Sequence, residues 1–393
     1  MLSNRQLFLL NTAQTSTTPR LIEIERSEGL YLYGPKGEKY MDLVSGFAVS
    51  NIGHRHPKVI EAIKAQIEKY LHVTVYGEFI QAPQVLLAAK LVSLLPKDLN
   101  NVYFVNSGAE ATEGAMKIAK KFTGRTAFIT AKKAYHGSTQ GALSLMGDEK
   151  FKTPFAPLLP NIHYIDYNNT NQLNAINENT AAIILESVQG EAGIRVPDIS
   201  YMQAVRKRCD ETGTLLILDE IQTGLGRTGK LFAFEHYGIV PDILLTAKAL
   251  GGGMPIGAFI ASQKIMAVIK ENPILGHITT FGGHPVSCAA ALASLNVITT
   301  EGLMDTVEEK HQLFLRHLQH PEIKEVRGIG LMMAIELDSF DRVERASKYC
   351  AANGVMIDWF LHHETALRLA PPLTISNEEI IEACKIIKAG IDY

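Results

Sequence analysis

The sequence lacks the patterns that would hold a disulfide framework or a metal ion. Its four cysteines, Cys209, Cys288, Cys350 and Cys384, are scattered with no ligand spacing and no pairing pattern, as expected of inert buried thiols in a cytoplasmic protein. An excess of either charge is missing as well. The formal net charge is −3 with 20% of residues charged, which leaves no basic stripe for nucleic acid. No apolar run approaches a membrane span in length. The opening residues, Met1 to Leu10, carry only an apolar stub before Asn11 and Thr12, too short for a secretory signal. Internal repeats and low-complexity linkers are absent. What is there, 393 residues with 46% hydrophobic content, suffices for a large core and more than one domain.

In chain order, Leu30 to Tyr33 and Lys39 to Asp42 flank Gly34-Pro35-Lys36-Gly37 as a hairpin. A Gly/His-rich loop, Asn51 to Pro57, leads into an amphipathic helix begun by Pro57. With no carboxylate or third histidine close in sequence, His54 and His56 read as structural rather than as metal ligands. A helical pattern from Gln84 closes at Pro96. Apolar runs then alternate with helix-length segments, at 102–105, 126–130, 162–165, 181–185, 215–218, 243–246 and 258–261. That alternation predicts an α/β fold with a mostly parallel sheet between helices, and ligands gathered beyond the carboxyl ends of its strands. After about Pro285 two helices precede a compact α+β stretch, with runs at 323–326, 330–337, 354–359 and 367–369 and a last helix from Asn377. The expected division is 1–46 and 291–393 as the two parts of a small domain, with 47–290 as a large ligand-binding domain between them.

Three stretches of the large domain can carry chemistry. In Asp242 to Pro255 an apolar strand ends at Lys248, and Gly251-Gly252-Gly253 follows. A lysine among apolar neighbours shifts toward the neutral amine, which can join an aldehyde; taken alone, it reads as a surface cation opening a loop. In Leu215 to Gly224, Asp219 ends four aliphatics and would need a partner such as a protonated ring nitrogen, or else begins a solvated turn. In Val105 to Ala111, small residues open a helix, a pattern that suits a phosphate and equally an ordinary Ser107 N-cap.

Taken together, Asn106-Ser107-Gly108-Ala109-Glu110-Ala111, Tyr135-His136-Gly137, Asp219 to Gly229 and Lys248 resemble the class III aminotransferases. These are fold-type I, pyridoxal-phosphate-dependent enzymes that include acetylornithine, ornithine and 4-aminobutyrate aminotransferases. The match runs from Asp42-Leu43-Val44-Ser45-Gly46 to Leu367-Arg368-Leu369-Ala370-Pro371-Pro372-Leu373. It implies a mostly parallel seven-stranded sheet in the large domain, a smaller α+β domain, and pyridoxal 5'-phosphate as cofactor. Lys248 would hold the cofactor aldehyde and shuttle the substrate proton. Asp219 would keep the ring nitrogen protonated. Tyr135 would stack on one ring face, Ile221 would pack on the other, and Gln222 would bond the ring oxygen. Ser107, Gly108 and Ala109 would cradle the phosphate, with Thr280 contributed from the second subunit of a homodimer. His284 stands where the family usually has asparagine.

On the substrate side, Arg368 matches the arginine that grips a carboxylate, and Glu191 the carboxylate that pairs with it when none is bound. This gate would let one pocket take an ω-amino donor and then 2-oxoglutarate, in a ping-pong transfer that yields glutamate. The family arginine for a distal carboxylate is replaced by Ser138. Acetylornithine- or ornithine-type activity leads on length and pattern, with a 4-aminobutyrate or putrescine-like diamine transaminase beside it. A class III racemase or aminomutase is disfavoured by Glu191 and Arg368, and a cofactor-binding regulator by the missing basic module. Thr74 to Phe79 is expected to line the entry.

Overall fold

The computed structural model describes residues 2–76 and 79–393. Near the N-terminus, β1 (Arg26–Glu28), β2 (Tyr31–Tyr33) and β3 (Lys39–Asp42) pair antiparallel, with Tyr31 opposite Met41 in the expected hairpin. The helix Pro57–Ile67 starts on its proline, whose missing N–H costs nothing in a first turn.

The apolar runs become β4 (Asn101–Val105), β5 (Ala127–Ala131), β6 (Ile162–Ile165), β7 (Thr180–Glu186), β8 (Leu215–Asp219), β9 (Ile243–Thr246) and β10 (Gly257–Ala261). They form one seven-stranded sheet in the order β4-β10-β9-β8-β7-β5-β6. Only β10 opposes its neighbours, running antiparallel to β4 and β9 while the other pairs are parallel. Every residue of β7 to β10 is buried, so these strands read as continuous apolar runs rather than alternating ones. Ala111, Ala115 and Ala119 of the helix Gly108–Thr123 pack on one face with Ile217, Ile243 and Leu245. The helices Ile199–Thr212 and Pro285–Thr300 cover the other, over Leu216, Leu218 and Leu244.

Beyond this sheet, β11 (Glu325–Ile329), β12 (Met332–Glu336), β14 (Asp358–Phe360) and β15 (His363–Leu369) form an antiparallel sheet ordered β11-β12-β15-β14. A short β13 (Val355–Met356) pairs in parallel with β3 instead. Leu30, Met41 and Leu43 consequently share a core with Leu331, Ile335, Val355 and Ile387. Two expected runs are divided. The run 330–337 starts as a turn, because Gly330 at φ 56 lies so close to Arg227 and Thr228 that an added Cβ would fall 2.7 Å from their backbone. The run 354–359 splits at Ile357, its halves serving different sheets. Arg227, fully buried, ties these parts together by donating to Asn51 Oδ1 and to the carbonyls of Leu331 and Pro371.

Candidate active site

The carboxyl ends of β4, β7, β8 and β9 meet at a cavity of about 490 Å3, a size that suits a cofactor with its substrate. Lys248, Asp219, Ser107, Gly108, Ala109, Tyr135, Ile221, Gln222 and Glu191 all line it. Lys248 follows β9 by two residues, with φ 45 in the left-handed region, a conformation that costs a side chain about 1–2 kcal/mol. Among the described residues no hydrogen bond or ion pair holds its amine. Burial pulls its pKa below the ordinary lysine value; Glu191 opposes that shift and Arg368 adds to it.

Asp219 ends β8 and is 5% exposed. Its Oδ1 accepts from Ile221 N at 3.0 Å, and its Oδ2 lies 2.8 Å from His136 Nδ1. Burial opposes a charge on His136, but Asp219 and then Glu186 outweigh it and raise the pKa above the ordinary histidine value. Glu186 ends β7, directly opposite Asp219 in register. Burial chiefly, with Asp219 adding, pushes its pKa up to about 7 against the pull of His136. Its carboxyl accepts from Tyr135 N at 3.1 Å and Gly190 N at 2.7 Å. His136 lies inside a sequence motif and Glu186 directly follows the apolar run 181–185, yet nothing in their spacing marks them as partners of Asp219. Only the β7–β8 register and the return of the chain from β5 bring them together.

Ser107 caps the helix Gly108–Thr123, its Oγ accepting from Glu110 N at 3.1 Å. The cap and the expected anion site fall on the same residues, since Ser107, Gly108 and Ala109 line the cavity at the helix start. Gly108 leaves room there, because an added Cβ would meet Ile221 Cδ1 at 2.7 Å. Gln222 Oε1 approaches Gly190 so closely that a Cβ there would lie 1.9 Å away. Tyr135 OH is 3.3 Å from Ser138 Oγ, and Ser138 also lines the cavity.

Arg368, on β15 and 2% exposed, donates to Glu191 through Nη1 at 2.7 Å and Nη2 at 2.6 Å. Burial opposes the Glu191 charge, but Arg368 outweighs it and holds the carboxyl below its ordinary range. The guanidinium lies between two rings, 4.9 Å from Phe47 and 4.6 Å from Phe360. Phe47 was not expected here. It sits in a left-handed turn, Ser45 to Ala48 at φ 52 to 63, and the amides of Val44 and Ser45 at its start donate to Asp42 Oδ1. Asp42 Oδ2 in turn meets His54 Nε2 at 2.9 Å, the partner that a local reading of the histidine loop could not supply.

Thr280 is not brought into the cavity of its own chain. It is exposed, with its carbonyl 2.9 Å from His72 Nε2. His284 caps the helix that follows it, through Nδ1 and Val286 N at 3.3 Å. Of the expected entry segment, Val75 is buried and Tyr76 stacks on Tyr103, while residues 77 and 78 lie outside the described residues.

This donor set fits pyridoxal phosphate: a free buried amine, an acceptor-only carboxylate across from it, and a helix start narrowed to a glycine where a phosphate would approach. Comparison with known proteins agrees. A family model described as aminotransferase class-III matches residues 12–391. An acetylornithine aminotransferase from Methanopyrus kandleri is 42% identical over 91% of this chain and 90% of its own length. A putrescine aminotransferase from Pectobacterium atrosepticum is also 42% identical, over 91% and 79%. The crystal structure of the ornithine aminotransferase from Toxoplasma gondii aligns with a TM-score of 0.90 at 31% identity, covering 99% of this chain and 95% of that one.

Proposed function

The chain belongs to the class III aminotransferases, pyridoxal-phosphate enzymes that act on an amino donor and an oxo acid, and from that premise we propose that it moves an ω-amino group to 2-oxoglutarate by a ping-pong route. The observation that carries this reading is the bidentate Glu191–Arg368 pair facing Lys248. With the pair closed, Arg368 is neutralised and the pocket suits a donor end that bears an amine and no carboxylate. With Glu191 turned aside, the same guanidinium can take the α-carboxylate of an oxo acid.

When bound, pyridoxal phosphate supplies an aldehyde for the amino group and a ring that takes up an electron pair from the substrate carbon. Lys248 would hold it covalently, Asp219 its ring nitrogen, Gln222 its ring oxygen, and the N–H groups from Ser107 to Ala109 its phosphate. Tyr135 and Ile221 would enclose the ring. The Lys248 amine would also remove and return a proton at the amine-bearing carbon of the substrate, a task that its lowered pKa suits. His136 donates to Asp219 and so fixes the carboxylate that would meet the ring nitrogen. We assign Thr280 to the partner's phosphate in a homodimer, and keep residues 1–46, 47–290 and 291–393 as the domain division.

Among the described residues lining the cavity there is no arginine, and Lys248 is the only lysine. Ser138 therefore leaves a distal carboxylate without a charged partner, which favours a diamine such as putrescine over acetylornithine or ornithine as donor. A steady-state screen of putrescine, N-acetylornithine, ornithine and 4-aminobutyrate against 2-oxoglutarate and pyruvate tests both levels. Glutamate formation with putrescine in the lead supports the reading; isomerisation of a donor with no acceptor present would replace it.

A further inference from the structure

Glu191 is held by more than Arg368. The two-residue turn Leu361–His362 between β14 and β15 aims both of its amides at this one residue. Leu361 N donates to Glu191 Oε2 at 3.0 Å, and His362 N to the Glu191 carbonyl at 3.0 Å. The closed position of the gate is therefore a three-donor seat, and one of the donors moves with the turn. The turn is also packed through the His362 ring. Its side chain is wholly shielded from solvent, edge-on to Phe151 at 5.1 Å and 71°. Phe151 belongs to the short helix Glu149–Lys152. Neither ring nitrogen has a hydrogen-bond partner among the described residues, and Asp148 Oδ2 stays 3.5 Å away. A buried polar ring without partners is a poorly stabilised plug. It holds its place by shape, and gives it up more easily than an apolar ring would.

We propose that His362 is the positioning residue that sets how readily the Glu191 gate opens, by wedging the Leu361–His362 turn against Phe151 so that the Leu361 amide meets the closed Glu191 carboxylate. The inference rests on the Glu191–Arg368 gate of the proposed function. Losing the wedge loosens the turn, weakens the closed seat and makes an oxo acid bind more easily, the reverse of what general damage to the site would do.

The test uses holoenzyme loaded with pyridoxamine phosphate, mixed with 2-oxoglutarate or pyruvate, and follows the cofactor absorbance to obtain the half-saturating oxo-acid concentration. His362→Ala is expected to lower it about tenfold, as loss of one hydrogen bond to a charged group implies. His362→Phe, which refills the seat with an apolar ring, is expected to leave it unchanged or raise it. In a Glu191→Ala background, His362→Ala is expected to have no further effect. A His362→Ala value that stays the same or rises overturns the inference, as does a His362→Phe value that falls with it. If Glu191→Ala itself leaves oxo-acid binding unchanged, the gate reading fails; if it tightens binding and His362→Ala does not, the wedge alone fails.

Discussion

A lysine at φ 45 is a strained choice, and at position 248 the strain has a use. The turn aims the amine back over the strand ends, where burial favours its neutral form. Substituting it should therefore remove chemistry rather than architecture. Lys248→Ala is expected to keep the fold and lower turnover at least about a hundredfold, checked by rapid-quench assay of the donor half-reaction beside a thermal melt. Turnover near wild type would remove Lys248 from the mechanism. Ser138 offers the complementary experiment, a gain. Ser138→Arg places a guanidinium beside Tyr135 and should improve kcat/KM for N-acetylornithine relative to putrescine by about tenfold, as a new charged hydrogen bond implies. An unchanged ratio would mean that the distal end of the donor lies elsewhere.

At the scale of elements, the helix start at Ser107 to Ala109 depends on the space at Gly108. Gly108→Ala brings a methyl within 2.7 Å of Ile221 Cδ1, and overpacking of that kind should weaken pyridoxal-phosphate binding about tenfold, read by fluorescence titration of the apoenzyme. A second element-scale prediction concerns Glu336 at the end of β12. Burial opposes its charge, but Thr365, His363 and Arg327 outweigh it and pull the carboxyl from near 4.5 down to about 2. A depressed carboxyl contributes stability in full above its unfolded value and loses it as pH falls toward the folded one. Wild type should thus lose Tm between about pH 5 and pH 2 more steeply than Glu336→Gln, as differential scanning calorimetry would show; equal slopes would refute the network's role. These same elements show where the sequence could be read. Lys248, Asp219 and the Ser107 cap each follow a continuous apolar strand, so a local pattern located them. His136, Glu186 and Phe47 reach the site through strand register, a chain return and a left-handed turn, and none of these leaves a local signal. The runs 330–337 and 354–359 differ from the strands because Gly330 turns against Arg227 and Thr228 and the chain changes sheets at Ile357, and composition signals neither.

Across the whole molecule, the cavity built by one chain has, among the described residues, no lysine or arginine beside Lys248 to meet a phosphate at the helix start, and Thr280 lies outside it on an exposed segment. Ile274, Leu275, Ile278 and Phe281 crowd that segment, each more than half exposed, an apolar display that suits burial against a second copy. If Thr280 serves the partner's phosphate, two defective subunits can repair each other. In a hybrid of Lys248→Ala and Thr280→Glu subunits, one site carries both lesions and the other carries neither. Neither homodimer should turn over appreciably, whereas mixing, denaturing and refolding the two should restore activity, up to about a quarter of the wild-type value if subunits assort at random into dimers. If Thr280 instead acted within its own chain, each hybrid site would keep one lesion and no activity would return. The readout separates the two arrangements without knowledge of the natural donor, since any amine that wild type accepts will report it.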